Sequence, residues 1–417
     1  MIVENLMMQM PKMMMGKELE AAMLSLPEYD PAIRNADAAV RLMALNDIMD
    51  IYVPSQMSYE IYSKIYMAML HSLKKKQTIE AVRQGNQNHR RLQGMSYNSV
   101  LGGADSFSII GPSGIGKSTA LAKSIALSGG EQVIAAKEPY IRIVPCINVQ
   151  CPHDCSVKGL LLAILSQVDV AIGTAYQRTA VKNRDSIDSL IGTVSQVALN
   201  NILLIVIDEC QNICRNKNGV NLTASMTQLI NSSGVSVCMV GLPETNCFFR
   251  QEMQLARRSI GLSYGPLAYD KYFIDFCATL FAYQYTAVRT EITPELTELL
   301  FECSGGIIAV LVSLFVEAQQ IAVLTGKEKI NKETVLKAYE ERLKNVQDYV
   351  HVSDRKRSQT SRVADKLRSE ATGGQIPVET DAGDFCFSEM VKQAGLEDKD
   401  ILGILEKNGV LAEEVAV

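Results

Sequence analysis

The 417-residue chain has no surplus of positive charge: 41 Lys and Arg stand against 46 Asp and Glu, a formal net charge of −5. A protein that binds nucleic acid through a global basic field is thereby excluded, and any such contact needs a local patch. A long uninterrupted apolar run is missing as well. The most apolar stretch, 305–324, is broken by Glu317, Gln319 and Gln320, while Ile307, Ile308, Leu311, Phe315 and Ala318 recur at helical spacing. That pattern predicts a buried amphipathic helix and no membrane span. The Met-rich start is interrupted by Glu4, Pro11, Lys12 and Glu18, so the apolar core of a secretion leader is lacking. Ten cysteines without a leader point to reduced thiols in a cytoplasm. Paired metal-ligand spacing is also absent. Cys146, Cys151, His153 and Cys155 match none of the usual zinc patterns, and Cys210 and Cys214 read as core thiols.

The remaining composition, 47% hydrophobic and 21% charged, is that of an ordinary globular protein with room for two or three domains. Residues 1–50 read as short helices with a Met-rich face, and 59–76 as one helix carrying Ile61, Ile65, Met69 and Leu73 on one side. A polar stretch at 83–103 is expected to cover the entrance to a core. From Ser106 the pattern alternates strand and helix: 106–110, 140–149, 201–208 and 235–240 are the apolar strand candidates, with helices between them. Such alternation predicts an α/β sandwich around a parallel sheet. Beyond about Leu267 the signals are helical, at 269–281, 293–303, 306–324 and 332–342, giving a small helical lid. The expected division is a helical N-terminal extension (1–82), an α/β core (83–266), a helical lid (267–348), a polar linker (349–384) and a short helical tail (385–417).

The strongest motif is Gly111-Pro112-Ser113-Gly114-Ile115-Gly116-Lys117-Ser118, a full GxxxxGK[ST] phosphate loop between a predicted strand and a predicted helix. Its glycines let successive backbone N–H groups turn inward towards phosphate oxygens. Lys117 is placed to reach the β- and γ-phosphates of ATP, the Ser118 hydroxyl to join a Mg²⁺ shell, and Thr119 to touch the α-phosphate. The apolar run ILLIVI ending in Asp208-Glu209 supplies the other half: Asp208 for Mg²⁺, Glu209 as general base on the attacking water. An arginine from a neighbouring subunit is expected to complete the site. Arg257 and Arg258 are the candidates, with Arg250 nearby, against the alternative that they are a solvated helix face. Two cation-bearing loops, 178–184 and 215–217, together with Lys158, could track DNA phosphates or could be solubilising surface charge.

Taken together, GPSGIGKSTAL, VPCINVQCPHDCSVKGL, LLIVIDECQNI and VCMVGLPET resemble the TnsC regulators of bacterial transposons, grouped with the TniB and MuB-like AAA+ ATPases. VPSQMSYEIYSKIYMAML resembles that family's entry segment, and Ser304-Gly305-Gly306 its helical subdomain. The resemblance spans roughly 50–345. It implies an AAA+ fold and an ATPase that assembles on double-stranded DNA as a ring or helical filament. It also implies two partners, transposase subunits like TnsA and TnsB and a target selector of the TniQ or TnsD kind. The tail at 385–417 is assigned to the transposase and the N-terminal residues to the selector. Lys158, Thr179, Lys182 and Arg184 become the candidates for gripping the DNA backbone, and Cys151-Pro152-His153-Asp154-Cys155 becomes a family turn. Two departures stand out. Leu242 takes the place of a polar sensor-1 residue, and no sensor-2 arginine follows Gly306; both suit slow hydrolysis. The competing reading is a P-loop switch of the ExeA or STAND kind that acts on proteins; a helicase loader or replication initiator would need a larger C-terminal domain than remains.

Overall fold

An apolar strand that does not alternate needs cover on both faces, and that requirement organises the structure. The computed structural model describes residues 6–347 apart from 77, 94, 96–104, 137–140, 216–218, 246–260 and 346. The N-terminal part holds α1 (Gly16–Met23), a 3₁₀ turn at Pro31–Asn35, α2 (Ala38–Ala44), a second at Leu45–Asp50, then α3 (Gln56–Lys75) and α4 (Ile79–Leu92). The α/β part runs β1 (Ser106–Ile110), α5 (Lys117–Leu127), β2 (Ile134–Ala136), β3 (Ile141–Gln150), α6 (Val157–Ile172), α7 (Tyr176–Asn183) and α8 (Ile187–Asn201). It continues through β4 (Ile202–Asp208), α9 (Gln211–Arg215), α10 (Gly219–Ser233), β5 (Ser236–Gly241) and β6 (Leu262–Ser263). The lid is α11 (Lys271–Ala282), α12 (Pro294–Ser304), α13 (Ile308–Leu324) and α14 (Lys332–Arg342).

The strands form one six-stranded sheet in the order β2-β3-β4-β5-β1-β6. Every pairing is parallel except β2 with β3. On β4, Ile202, Ile205 and Ile207 face the cluster built with α6, α8 and α10, while Leu203, Leu204 and Val206 face α3 and α5. On β5, Val237 and Met239 take the first side and Cys238 and Val240 the second. The expected α/β sandwich with a helical lid is thus the observed fold. The lid has its own core, in which Phe273, Phe276, Leu300, Leu311 and Phe315 close over Ile48 of the N-terminal segment.

Two segments differ from the sequence expectation. Residues 83–92, expected as part of a polar cover, belong to α4. Its buried side is polar: Gln84 Nε2 donates to Asn88 Oδ1 (2.9 Å), and Asn88 Nδ2 donates to the Ser232 carbonyl (3.0 Å). A helix that buries amides in mutual hydrogen bonds leaves no apolar periodicity to read. The cation-bearing loop at 178–184 is mostly α7, closed by Arg184 in a left-handed conformation (φ 54°). The thiol expectation also needs one correction. Cys146, Cys151, Cys155, Cys210, Cys238, Cys277 and Cys303 are free, whereas Cys214, at the rim of α9, is disulfide-bonded. Among the described residues no single helix is long and apolar enough to cross a membrane. The linker and tail, 349–417, lie outside the described residues.

The N-terminal segment is held to the lid by a partly buried fork. Arg41 Nη1 and Nη2 donate to the two Glu328 oxygens (2.6 and 2.8 Å), and Arg41 also donates to the carbonyls of Tyr285 (3.1 Å) and Ala36 (3.0 Å). Hydrogen bonding from Arg41 holds the Glu328 carboxyl below its ordinary value of 4.5. Arg41→Met should therefore cost about 2–4 kcal/mol in chemical denaturation at neutral pH. Because the folded-state pKa is depressed, the pair's contribution is full above pH 4.5 and is lost as pH falls through the lower folded value. The gap between wild type and variant should narrow in acid; a gap that stays constant below pH 4 would show that Glu328 is not the partner that matters.

Candidate functional site

The parallel register brings the carboxyl ends of β1, β4 and β5 side by side, where ligands of open α/β sheets bind. Gly111 N–H, just past β1, donates to the Gly241 carbonyl at the end of β5 (3.2 Å). Cys210 N–H donates to the Val240 carbonyl (2.9 Å), so the residues after β4 lean on β5 as well. The phosphate loop and Asp208-Glu209, far apart in sequence, therefore border one cavity of about 590 Å³, within the range typical of cofactor sites. Ser113 through Thr119 line it, with Lys123, Asp208 and Glu209. Gly111 and Pro112 do not; their carbonyls each accept from Lys117 Nζ at 2.7 Å.

The loop conformation depends on glycine at two positions. Gly114 and Gly116 have φ of 80° and 93°, and Gly116 is the N-cap of α5. A Cβ on Gly114 would stand 3.0 Å from Ile307 Cγ2 and 3.1 Å from Ala309 Cβ of the lid. The lid rests on this loop directly, since Ala309 N–H donates to the Gly114 carbonyl (2.9 Å).

Charge in the site is poorly solvated. Burial pushes the Lys117 ammonium pKa down, against the pull of Asp208 and Glu209. Burial pushes the Asp208 carboxyl up, opposed by the Glu209 N–H that donates to Asp208 Oδ1 (2.8 Å) and by Lys117. Both charged forms would gain from counter-charges brought by a ligand. Glu209 itself sits in a left-handed conformation (φ 58°) and is exposed towards the cavity.

Sequence reasoning missed the other wall. Met49, Asp50, Ile51, Tyr52 and Val53 line the cavity from the N-terminal segment, and Tyr272, Phe276, Ile308 and Val312 from the lid. Tyr272 OH donates to the Val53 carbonyl (2.8 Å), joining lid and N-terminal segment across the cavity rim. Lys123 Nζ lies 5.0 Å from the centre of the Tyr52 ring. Such aromatic and aliphatic side chains carry no motif, and only the fold gathers them.

Leu242 and the first turn of α13, Ile308 and Ala309, border the cavity as apolar groups. The 151–155 turn is tied to α9: Asn212 Nδ2 donates to the Cys151 carbonyl (3.0 Å), and Cys155 Sγ donates to the Asn212 carbonyl (3.2 Å). Burial pushes the Cys151 thiol up to about 12. Among the described residues no group of three or more His, Cys, Asp or Glu is arranged to hold a metal ion.

The four DNA candidates lie away from this cavity. Lys158, in the first turn of α6, donates to the Asp185 carbonyl (3.1 Å), next to Arg184. Thr179 and Lys182 are exposed on α7, one turn apart, and Arg184 is its exposed cap. One exposed surface therefore carries three cations and a hydroxyl. Arg250, Arg257 and Arg258 lie outside the described residues.

The Gly114 geometry leads to a direct expectation. Gly114→Ala places a side chain against the lid in a backbone conformation it disfavours, so affinity for a fluorescent ATP analogue should fall at least about tenfold, roughly 1.4 kcal/mol. An unchanged Kd would mean that the lid contact at Gly114 is irrelevant to nucleotide binding.

The sequence profile of the bacterial TniB protein matches residues 71–260, the segment holding β1 to β5 and both motifs. No curated protein sequence matches the chain. Solved structures of similar shape include the Aeropyrum pernix ORC1 protein in complex with DNA, at TM-score 0.39 and 17% identity, over 63% of this chain and 64% of that one. The Aeropyrum pernix ORC2 protein, in its ADPNP–ADP complexes, gives TM-score 0.38 and 16% identity over 63% and 67%. PCH-2 of C. elegans gives 0.36 and 15% over 77% and 75%. The chain thus spans just under two thirds of that ORC1 protein. The likeness to the bacterial TniB protein thus covers the part of the chain that carries the phosphate loop, Asp208-Glu209 and five of the six strands.

Proposed function

We propose that this chain is an ATP-dependent DNA-binding regulator of transposition. In this reading it assembles on target double-stranded DNA as a ring or helical filament. There it links a target selector of the TniQ or TnsD kind to transposase subunits like TnsA and TnsB. The observation that carries the reading is the TniB match over the segment that also holds the phosphate loop and Asp208-Glu209.

The residues present suit a magnesium-bound nucleoside triphosphate. Two loop glycines hold positive-φ conformations beside the cavity, and a partly desolvated ammonium and carboxylate stand where added counter-charge would stabilise both. Magnesium-ATP supplies the phosphoryl group to be transferred to water. Lys117 would exchange its two carbonyl acceptors for phosphate oxygens, and Ser118 and Asp208 would hold Mg²⁺. Thr119 meets the α-phosphate, and Glu209 accepts the proton of the attacking water. Arg257 or Arg258 of an adjacent subunit offsets charge on the γ-phosphate. Slow hydrolysis fits the apolar side chains of Leu242 and Ile308 at the cavity, and hydrolysis serves to trim or release the assembly. Lys158, Thr179, Lys182 and Arg184 grip the DNA backbone without reading bases.

The test mixes purified protein with duplex DNA and compares ATP, a non-hydrolysable analogue, ADP and no nucleotide, following affinity and assembly size together. Large assemblies on DNA should form only with ATP or the analogue, and affinity should fall steeply with salt. The Lys182→Ala, Arg184→Ala double variant should lower the log–log salt slope by about 2 while leaving nucleotide affinity intact. Glu209→Gln should still assemble with ATP but not disassemble. Nucleotide binding with no DNA-dependent assembly would instead indicate a switch acting on proteins.

A further inference from the structure

Gln211 occupies an unusual position for an amide. It is the first residue of α9, only 5% exposed, and it borders the cavity between Glu209 and the end of β5. Its Nε2 donates to Glu209 Oε2, and its Oε1 accepts the backbone N–H of Leu242 (3.3 Å). These two partners fix the amide orientation. The carboxylate only accepts and the backbone N–H only donates, so a flipped amide would lose both bonds. The approach is close. A Cβ on Gly241 would lie 3.2 Å from Gln211 Oε1 and 2.3 Å from Thr245 Oγ1, so a side chain at 241 would crowd the amide.

This arrangement answers a difficulty in the site. Residue 242 follows β5 and borders the cavity, but its leucine side chain cannot hydrogen-bond to a nucleotide or to water. Its backbone N–H can, and Gln211 accepts that bond. Glu209 stands in a left-handed conformation at a strand end, with a flexible side chain exposed to the cavity. A bond to one carboxylate oxygen restricts its rotamers and leaves the second oxygen for the proton it must take.

Resting on the ATPase reading above, we infer that Gln211 is the positioning residue for Glu209, fastening the general base to the end of β5 through the Leu242 backbone. Gln211 acts through Glu209.

The experiment measures steady-state hydrolysis of magnesium-ATP by the full chain with saturating duplex DNA, the affinity for a fluorescent ATP analogue, and thermal unfolding. It compares wild type, Gln211→Met, Gln211→Ala, Glu209→Gln and the Gln211→Met, Glu209→Gln double variant. Gln211→Met keeps the side-chain volume and removes both hydrogen bonds, which guards against a loss of fold in the smaller variant. The expected result is a fall in kcat of about 10- to 100-fold for both Gln211 variants. KM and analogue Kd should stay within about threefold, and the double variant should be no slower than Glu209→Gln alone. A general packing role would lower affinity and melting temperature and would add to the Glu209→Gln loss. A normal kcat in Gln211→Met beside an inactive Glu209→Gln overturns the Gln211 inference alone. Full activity in Glu209→Gln overturns the assignment of the general base, and the inference with it.

Discussion

The hydrogen bonds at the carboxyl edge of the parallel sheet are what the rest of the site depends on. β1 and β4 each pair with β5, so the ends of three strands far apart in sequence must finish together. The bond from Gly111 to Gly241 closes one seam and that from Cys210 to Val240 the other. A buried backbone group left unpaired here would cost about 1–3 kcal/mol, so the register is set before any ligand is considered. The phosphate loop and the acidic pair face each other because β4 is apolar on both sides and must be central. The chemistry is then placed where the buried strand ends.

Three bodies meet around that edge. The α/β part supplies phosphate-binding and acidic groups, while the N-terminal segment and the lid supply an apolar wall. The last two are bound to each other by the Arg41–Glu328 fork and by the Tyr272–Val53 bond, and the lid is bound to the phosphate loop by the Ala309–Gly114 bond. Hydrogen bonds of this kind are directional, so the wall cannot shift against the loop without losing them.

Much of this was legible in the sequence, for identifiable reasons. The start of α14 in the sequence coincides with a reciprocal cap between Asn331 and Thr334 before a polar helix. The phosphate loop was legible because its glycines and lysine are required by geometry, and β4 because burial on two faces suppresses alternation. What was hidden follows equally simple physics. α4 buries Gln84 and Asn88 in place of an apolar stripe, so its pattern resembles a loop. α7 is short and buries Ala180 as its one fully enclosed residue, so its cations dominated the reading. The wall made of Tyr52, Tyr272 and Phe276 could not be found, since aromatic residues in a core and at a cavity look alike before the chain is folded.

The nature of the lid contacts constrains how it can respond. A ligand shifts a conformational equilibrium only by the difference in its affinity for the two states. The lid residues at the cavity are Tyr272, Phe276, Ile308, Ala309, Val312 and Ser313, and none carries a charge. Phosphate charge therefore acts on the lid chiefly through the phosphate loop, by way of the Ala309–Gly114 bond and the apolar packing of Ile307 on that glycine. Glu209, Gln211 and the end of β5, which also border the cavity, belong to the α/β part. The geometry thus separates two effects of one ligand. In the proposed reading, nucleotide occupancy would reach the lid through loop shape, and the terminal phosphate would reach the sheet edge through the acidic pair and its amide.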